Sequence, residues 1–300
     1  MMQPSMAHPN FIGIGSARCG STWLAERLRH HPQVWIPPIK EIHYFDMQKV
    51  LPWWHWIRMR RRGIHLRRYL AHHFNEAGRM GWRRHDLIWG IRYFLGRCDD
   101  RWYRRVLEPP EGAISGEITP AYSLLDDEEF AVIARDFPKT RFIYTMRDPI
   151  DRDWSQVVMH LGLHRRGGDP ARFQERILEV LDRPAVVQRS SYLETLRRLD
   201  RLPRDRFRIY FFDQIRDSPV ELLEDLCEFL QLEPRPEMVR SNVERKVAAR
   251  DMGGRRMPES VERFLAARWL PMLETLERRF DGPVRHWRER ASRVLEGRPA

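Results

Sequence analysis

Short apolar runs alternate with longer amphipathic stretches along this chain. Four of the runs are typical of buried strands, at 11–15, 113–118, 141–146 and 207–213. Apolar side chains recur at helical spacing between and after them, over about 21–30, 126–136, 150–161, 191–202, 219–230 and 259–280. Strands that alternate with helices of this length pair in parallel, so we expect one α/β domain with three layers and a central parallel sheet. The last residues, from about Glu289, are expected to fray.

A glycine-containing turn follows the first strand. The segment Gly15 to Thr22, GSARCGST, lies between that strand and the first helix and has the glycine spacing of a P-loop. Backbone N–H groups in such a turn, together with a helix N-terminus, bind an anionic phosphate. Ser21 stands where an NTPase carries lysine, and Arg18 is the only cation in the turn. The segment therefore predicts a phosphate site in which the lysine and Mg²⁺ arrangement for a triphosphate is incomplete.

A second candidate anion site follows a later strand. Arg147 comes directly after the strand at 141–146, and Ser155 lies two turns into the next helix, so both side chains can reach one anion. An alternative is that Arg147 forms an ion pair with Asp148 or Asp151 and has a structural role. The spacing alone leaves both interpretations open.

Two further segments carry groups suited to proton transfer or ligand contact. The loop Lys40 to Asp46, KEIHYFD, follows the first helix and contains carboxylates and an imidazole, which can accept a proton. Glu117 and Thr119 lie at the carboxyl end of the strand at 113–118. Side chains at that end of a strand in an open α/β sheet face the ligand crevice, so we expect both to do so.

The composition is strongly basic. A net charge of +11 and a pI near 10.1 predict an anionic partner. The charge alone leaves nucleic acid, a membrane surface, a polyanionic glycan and a phosphorylated cofactor open as that partner. Only four of the 53 basic residues are lysine, so a codon bias is an alternative explanation of the excess.

Basic residues are concentrated in two segments. Residues 50–102 are rich in Trp and Arg and are predicted to form a helical insertion. This insertion either presents a cationic, aromatic surface to a sugar polymer or lipid headgroup, or packs its aromatic side chains on the body of the domain. Residues 240–258 are basic, contain glycine and lack periodicity, which predicts a mobile lid over an anion or a solvated surface loop.

The sequence also bears on the compartment. It contains no apolar run long enough to cross a membrane, and the first ten residues lack the apolar core of a secretory signal. The three cysteines, Cys19, Cys98 and Cys227, have neither metal-site nor disulfide spacing. These features favour a reducing compartment, and we expect the protein to be cytoplasmic.

Four blocks of the sequence resemble the sulfotransferases that use 3′-phosphoadenosine 5′-phosphosulfate (PAPS). Gly15 to Thr22 resembles the 5′-phosphosulfate loop of that family. The block from Arg147 to Ser155, RDPIDRDWS, resembles its 3′-phosphate motif, an arginine at a strand end and a serine eight residues later. Lys40 to Asp46 and Gly116 to Tyr122 are similar to segments of the heparan-sulfate and bacterial carbohydrate branch. The resemblance spans most of the chain and implies a P-loop-like fold.

The resemblance also implies a donor and the residues that contact it. The donor is PAPS, the product is 3′,5′-adenosine bisphosphate, and no metal is required. Many members have lysine where Arg18 stands, and either cation neutralises the phosphosulfate. The late basic loop of the family matches this chain only loosely, around Gly254. The implied donor contacts are Arg18, Cys19, Gly20, Ser21, Thr22, Trp23, Arg147, Ser155, Gly254 and Arg255.

The implied reaction moves a sulfuryl group to an acceptor hydroxyl or amine, most simply that of a carbohydrate. It needs a base for the acceptor proton, and the resemblance to the carbohydrate branch implies that Glu41 is this base. His43 is the alternative, because histidine is the base in the cytosolic small-molecule branch. The insertion at 50–102 is expected to shape the acceptor site.

Other functions stay open at this stage. A P-loop kinase or NTPase would use the same turn, although Ser21 replaces its lysine. A sulfotransferase could act on a lipid or a small alcohol instead of a carbohydrate. A basic protein that binds nucleic acid without catalysis is a third class, but the chain lacks a base-contacting motif.

Overall fold

A five-stranded parallel sheet forms the centre of the molecule. The computed structural model describes residues 9–47, 63, 65–67, 69–70, 84–96, 98–161, 170–238 and 257–298. The strands are β1 Phe11–Gly15, β2 Val34–Trp35, β3 Ile114–Ile118, β4 Arg141–Met146 and β5 Phe207–Phe211. Their order across the sheet is β2-β3-β1-β4-β5, and all neighbours pair in parallel. The predicted α/β fold with a central parallel sheet is confirmed.

Helices follow the strands, and the six that the periodicity predicts are present, each beginning within one residue of its predicted start. The first six in the described part are α1 Ser21–Arg29, α2 Arg84–Leu95, α3 Asp100–Val106, α4 Asp127–Asp136, α5 Pro149–His160 and α6 Pro170–Leu181. The next six are α7 Pro184–Ser190, α8 Tyr192–Leu199, α9 Phe212–Asp217, α10 Pro219–Leu230, α11 Glu259–Glu277 and α12 Pro283–Leu295. Local chemistry sets several starts: Asp126 and Glu129 form a capping box at α4, and Pro149 and Pro219 occupy first-turn positions of α5 and α10.

Two hydrophobic cores lie on opposite faces of the sheet. Successive side chains of a strand point to opposite faces, and β4 shows this directly. Phe142, Tyr144 and Met146 belong to one core, whereas Ile143 belongs to the other. The ligand edge of a parallel sheet lies at the carboxyl ends of its strands, so the turn after β1 and the start of α5 after β4 lie at that edge.

The C-terminal region differs from the prediction. The chain does not fray from Glu289 but continues in α12, whose Val284, Trp287, Ala291 and Val294 are buried. Their spacing is amphipathic, but the many arginines between them hid the pattern. At β5 the predicted strand was too long, because the chain turns at Phe212 to begin α9.

The two basic segments lie largely outside the described residues. Of 240–258, only Met257 and Pro258 are described, so Gly254 and Arg255 lie outside. Of 50–102, α2 and the start of α3 are described most fully. Trp89 and Trp102 are buried there, and Trp89 Nε1 donates to the Val106 carbonyl at 2.8 Å. These two tryptophans pack on the body of the domain. Within the described residues, no helix has both the length and the apolar character to cross a bilayer.

Candidate active site

The turn after β1 leaves the N-terminus of α1 open to a ligand. Gly20 is the N-cap residue of α1, with φ of 89°, and has no side chain that could cap this helix end. Its positive φ is a conformation that side chains other than glycine rarely adopt, and a Cβ atom there would also lie 2.4 Å from Ile215 Cδ1, so the position favours glycine. The first-turn N–H groups of Ser21, Thr22 and Trp23 have no intrahelical acceptor, and they carry the positive end of the helix dipole. This arrangement suits a phosphate or phosphosulfate group.

Contacts from three other elements fix the same turn. Ser16 N donates to the Thr145 carbonyl at 2.7 Å, and Ser16 Oγ donates to the Arg189 carbonyl at 2.7 Å. The fully buried Arg152 donates from Nε to the Ala17 carbonyl at 3.2 Å. The turn is therefore held by β4, α5 and α7 together, which preorganises its N–H groups.

Arg18 connects this turn to the second predicted anion site. Its Nε and Nη2 donate to Ser155 Oγ at 3.0 Å and 2.8 Å. The Arg18 backbone has φ of 72°, which is uncommon for a residue other than glycine and is found most often at functional sites. The structure thus brings together two residues that are 137 positions apart in the chain and were predicted to bind opposite ends of one donor.

Arg147 lies at the carboxyl end of β4, as predicted. Its guanidinium stacks over the Phe212 ring at 4.3 Å, and Tyr192 donates to its carbonyl at 2.7 Å. The neighbouring carboxylates of Asp148 and Asp151 each accept a hydrogen bond from Arg290 Nη1 at 2.8 Å. Arg290 of α12 therefore forms the ion pairs with Asp148 and Asp151 that the sequence had suggested for Arg147.

The loop Lys40 to Asp46 carries a chain of charged groups beside α1. Lys40 Nζ lies 2.8 Å from Glu41 Oε1 and 3.4 Å from Ser21 Oγ. His43 lies between two carboxylates, with Nε2 3.5 Å from Glu41 Oε2 and Nδ1 2.8 Å from Asp46 Oδ2. The two candidate bases are therefore direct neighbours, and Lys40 joins them to the turn after β1.

These contacts shift the pKa values of Glu41 and His43 in opposite directions. Burial raises the pKa of Glu41, but hydrogen bonds from His43 and Lys40 outweigh it and bring that pKa to about 2. Burial lowers the pKa of His43, but Asp46 and Glu41 outweigh it and raise that pKa to about 9. At neutral pH, Glu41 is ionised and can accept a proton, whereas His43 is protonated and cannot.

Glu117 does not face the ligand crevice as expected. It is fully buried and accepts hydrogen bonds from four donors: Ile42 N at 3.1 Å, Tyr103 Oη at 2.6 Å, Thr119 Oγ1 at 2.6 Å and Tyr122 Oη at 3.0 Å. Tyr122 Oη in turn accepts from Tyr44 N at 2.9 Å. Glu117 thus fixes the backbone on both sides of His43.

The remaining predicted site residues have different surroundings. Cys19 is buried, and burial raises the pKa of its thiol to about 11, so only its backbone N–H suits ligand binding. The Trp23 side chain belongs to the core beneath α1, which leaves its backbone N–H as the ligand-facing group. Among the described residues, no group of three or more His, Cys, Asp or Glu side chains could bind a metal ion.

Three arginines near the site could not be identified from the sequence. Arg152 and Arg290 are two of many arginines, and nothing in their spacing marks them as partners of Asp153 and Asp148 or marks Arg152 as buried. Arg189 comes near the turn after β1 only because α7 packs there. Long-range packing sets all three positions, so no local signal was available.

Comparisons with known proteins identify the family of this chain. A sequence model described as "Sulfotransferase family" matches residues 9–237. Carbohydrate sulfotransferase 15 of Homo sapiens is 25% identical over 186 residues, which cover 58% of this chain and 30% of that protein. The protein of the same name from Rattus norvegicus is 24% identical over the same length and coverage. The chain thus spans about a third of the length of these curated relatives.

Solved structures show the same fold. A sulfotransferase from Alicyclobacillus acidocaldarius superposes with a TM-score of 0.62 at 22% identity, over 94% of this chain and 99% of that one. The sulfotransferase domain of the Synechococcus PCC 7002 olefin synthase superposes with a TM-score of 0.54 at 15% identity, over 89% and 96%. Since the family match at 9–237 extends over more than half of the chain, the protein belongs to the sulfotransferase family.

Proposed function

We propose that the protein transfers a sulfuryl group from PAPS to an acceptor hydroxyl of a carbohydrate. The observation that carries this proposal is the contact of Arg18 with Ser155. This contact joins the turn after β1 to the segment from Arg147 to Ser155, so the two proposed anion sites are neighbours. Two neighbouring anion sites suit a nucleotide with phosphates at both its 5′ and 3′ positions.

The charges and N–H groups around the contact of Arg18 with Ser155 suit PAPS as the donor. The N–H groups of Cys19 to Thr22 and the Arg18 guanidinium would bind the phosphosulfate, where the helix dipole favours negative charge. Arg147 and Ser155 would bind the 3′-phosphate, which distinguishes PAPS from ATP. We retain Gly254 and Arg255 as predicted donor contacts that lie outside the described residues.

Glu41 is the proposed base. When bound, the donor supplies an electrophilic sulfur atom and a phosphate leaving group. Glu41 would accept the acceptor proton, because it is ionised and lies beside the turn that binds the phosphosulfate. Lys40 and Arg18 would neutralise charge that grows on the leaving phosphate. His43 would keep Glu41 in position rather than act as the base.

The acceptor assignment rests on the name of the relatives and on the insertion at 50–102. Only 30% of the length of carbohydrate sulfotransferase 15 matches this chain. We infer a carbohydrate acceptor for this chain too, bound near Glu41 and shaped by 50–102. A cytoplasmic location remains a prediction from the sequence.

Calorimetry would test the donor assignment. The protein is titrated with 3′,5′-adenosine bisphosphate and, separately, with ATP and Mg²⁺. We expect the bisphosphate to bind and ATP to bind at least about tenfold more weakly, because ATP lacks the 3′-phosphate. Tight ATP binding without bisphosphate binding would instead indicate a P-loop kinase or NTPase.

A second experiment identifies the acceptor class. PAPS labelled with ³⁵S is supplied with a panel of glycosides, lipids with hydroxyl headgroups and small alcohols, and products are analysed by mass spectrometry. We expect label in the glycosides. Label confined to lipids or alcohols would keep the sulfotransferase assignment and reject the carbohydrate acceptor.

A further inference from the structure

One face of α2 exposes large apolar side chains to solvent. Leu87, Ile88, Ile91 and Leu95 are 45%, 38%, 61% and 80% exposed. At 100° per residue, all four lie within an arc of about 100° and extend about 12 Å along the helix axis. Each of the other helices in the described part exposes one large apolar side chain at most. We call this group of four residues the α2 stripe.

The opposite face of α2 packs on the protein. The rings of Trp89 and Tyr93 are buried and stack with their centroids 4.7 Å apart. Trp89 Nε1 donates to the Val106 carbonyl, and Tyr93 Oη lies 2.6 Å from His65 Nδ1. These contacts hold the helix in place without the α2 stripe. The stripe is therefore available to a partner and can be changed with little effect on the fold.

The positive charge of the chain is concentrated in the same region of the sequence. Residues 49–108 contain fifteen Lys or Arg and five Asp or Glu, so they carry +10 of the net charge of +11. Arg67, Arg101 and Arg105 belong to this region and are exposed. The sequence around α2 therefore favours an anionic partner.

Helix α3 brings part of this charge beside α2. Arg92 Nη1 donates to the Arg105 carbonyl at 3.4 Å, and Trp102 Nε1 donates to the Arg92 carbonyl at 2.9 Å. Three carboxylates of α3 and its ends each accept a hydrogen bond from the protein, and they are Asp99, Asp100 and Glu108. These carboxylates are already engaged, whereas the side chains of Arg101 and Arg105 are exposed.

The size of the α2 stripe argues against a second copy of the chain as its partner. Its side chains expose on the order of 400 Å² of apolar surface, whereas a stable protein interface buries about 800 Å² on each partner. A basic region with one apolar helix face is instead typical of binding to an anionic bilayer. There the apolar side chains enter the boundary between headgroups and acyl chains.

We propose that the α2 stripe and the arginines beside it dock the protein on an anionic lipid bilayer. Helix α2 would lie in the plane of the interface, with Ile91 and Leu95 inserted most deeply because they are the most exposed. Arg101 and Arg105 would contact the anionic headgroups. Docking does not depend on which acceptor the protein sulfates.

Vesicle sedimentation would test this docking. The protein is pelleted with vesicles of phosphatidylcholine alone, and with vesicles that contain about one third phosphatidylglycerol. One double variant, Ile91→Gln with Leu95→Gln, removes the apolar contact without a change in charge. Its control is Val132→Gln with Val220→Gln, which changes two exposed apolar residues of α4 and α10.

A second pair of double variants tests the charge. Arg101→Gln with Arg105→Gln removes two exposed arginines of α3. The control, Arg263→Gln with Arg278→Gln, removes two exposed arginines of α11 and its C-terminal end. All four variants lie on exposed positions, and circular dichroism verifies that each is folded.

The expected result depends on both the stripe and the charge. The wild type should bind the anionic vesicles and bind phosphatidylcholine alone at least about tenfold more weakly. The variant of Ile91 and Leu95 should bind the anionic vesicles at least about tenfold more weakly than the wild type, because two apolar side chains no longer enter the interface. The variant of Arg101 and Arg105 should lose about 5- to 30-fold, because two charges no longer contact anionic lipid. Both controls should match the wild type.

Other outcomes would overturn the docking surface. If the wild type does not bind the anionic vesicles, or if the variant of Ile91 and Leu95 binds them as tightly as the wild type, the α2 stripe does not dock on a bilayer. Equal losses in both apolar double variants would show a general effect of surface polarity. Analytical ultracentrifugation addresses the remaining partner: a wild-type dimer that the variant of Ile91 and Leu95 converts to a monomer would make the stripe an interface between copies of the chain.

Discussion

Arg18 donates two hydrogen bonds to the hydroxyl of Ser155, at 3.0 Å and 2.8 Å. The first residue belongs to the turn after β1 and the second to α5, so the contact links the two proposed anion sites. Because both groups are proposed to bind the donor, donor phosphates would compete with this contact. Donor binding would break the contact between Arg18 and Ser155. The free energy gained from new contacts with the donor is therefore partly offset by the loss of this one.

Arg147 should matter more for donor binding than Ser155. We expect Arg147→Ala to weaken 3′,5′-adenosine bisphosphate binding by about 10- to 100-fold, since it removes a charge-assisted contact with phosphate. Ser155→Ala should cost less, because it also removes the competing contact of Arg18. Calorimetry on both variants measures this order. Wild-type affinity in Arg147→Ala would show that the strand-end arginine does not bind the donor.

Glu41 should be needed for turnover and not for donor binding. Glu41→Gln removes the proton acceptor but keeps the shape of the side chain, so kcat should fall by about 10²- to 10⁴-fold. Bisphosphate affinity should change by less than about threefold, because Glu41 is not a proposed donor contact. Glu111→Gln, in an exposed turn, controls for the loss of a carboxylate. Full activity of Glu41→Gln would reject the base assignment.

The pH dependence of the rate distinguishes Glu41 from His43. A base with a pKa of about 2 is ionised throughout the range from pH 5 to 8, so its protonation adds no slope to kcat/KM there. A base with a pKa of about 9 is mostly protonated in that range, so the rate would rise about tenfold per pH unit up to about pH 9. We expect kcat/KM to be flat between pH 5 and 8. If kcat/KM instead rises steadily with pH and His43→Gln abolishes the rise, His43 is the base.

Glu117 should stabilise the loop from Lys40 to Asp46 through its buried hydrogen bonds. Glu117→Ala leaves Ile42 N and several hydroxyls without their acceptor, and we expect a loss of at least about 2 kcal/mol in the free energy of unfolding. Glu117→Gln should recover much of this, because its carbonyl can accept from Ile42 N and hydroxyls can rotate to accept from its amide. Urea denaturation measures both. Equal stability of Glu117→Ala and the wild type would contradict the role of this network.

Local pattern was enough to predict the central strands and the turn after β1. The glycine spacing of Gly15 to Thr22 and the position of Arg147 follow from the chain itself, since a strand end fixes where the next residues lie. The burial of Glu117 could not be predicted, because its partners come from other elements: Tyr103 lies on α3, and Ile42, whose N–H donates to it, is 75 positions away. Nor could the pairing of Arg290 with Asp148, which joins residues 142 positions apart.

Arg152 should be essential for both stability and the shape of the phosphosulfate turn. It is fully buried, forms an ion pair with the buried Asp153 and contacts the Ala17 carbonyl. Arg152→Met leaves the Asp153 charge buried without its cation, so the free energy of unfolding should fall by about 3–5 kcal/mol.

The double variant Arg152→Met with Asp153→Leu separates these two roles of Arg152. It removes both charges, so part of the lost stability should return, although Trp269 Nε1 and Ser190 Oγ also lose their acceptor. We expect Arg152→Met to weaken bisphosphate binding as well, because the turn after β1 loses its contact at the Ala17 carbonyl. The double variant still lacks this contact, so its bisphosphate affinity should stay below that of the wild type. Denaturation and calorimetry on the same samples give both quantities. Recovery of stability and affinity together would show that Arg152 acts on donor binding only through the fold.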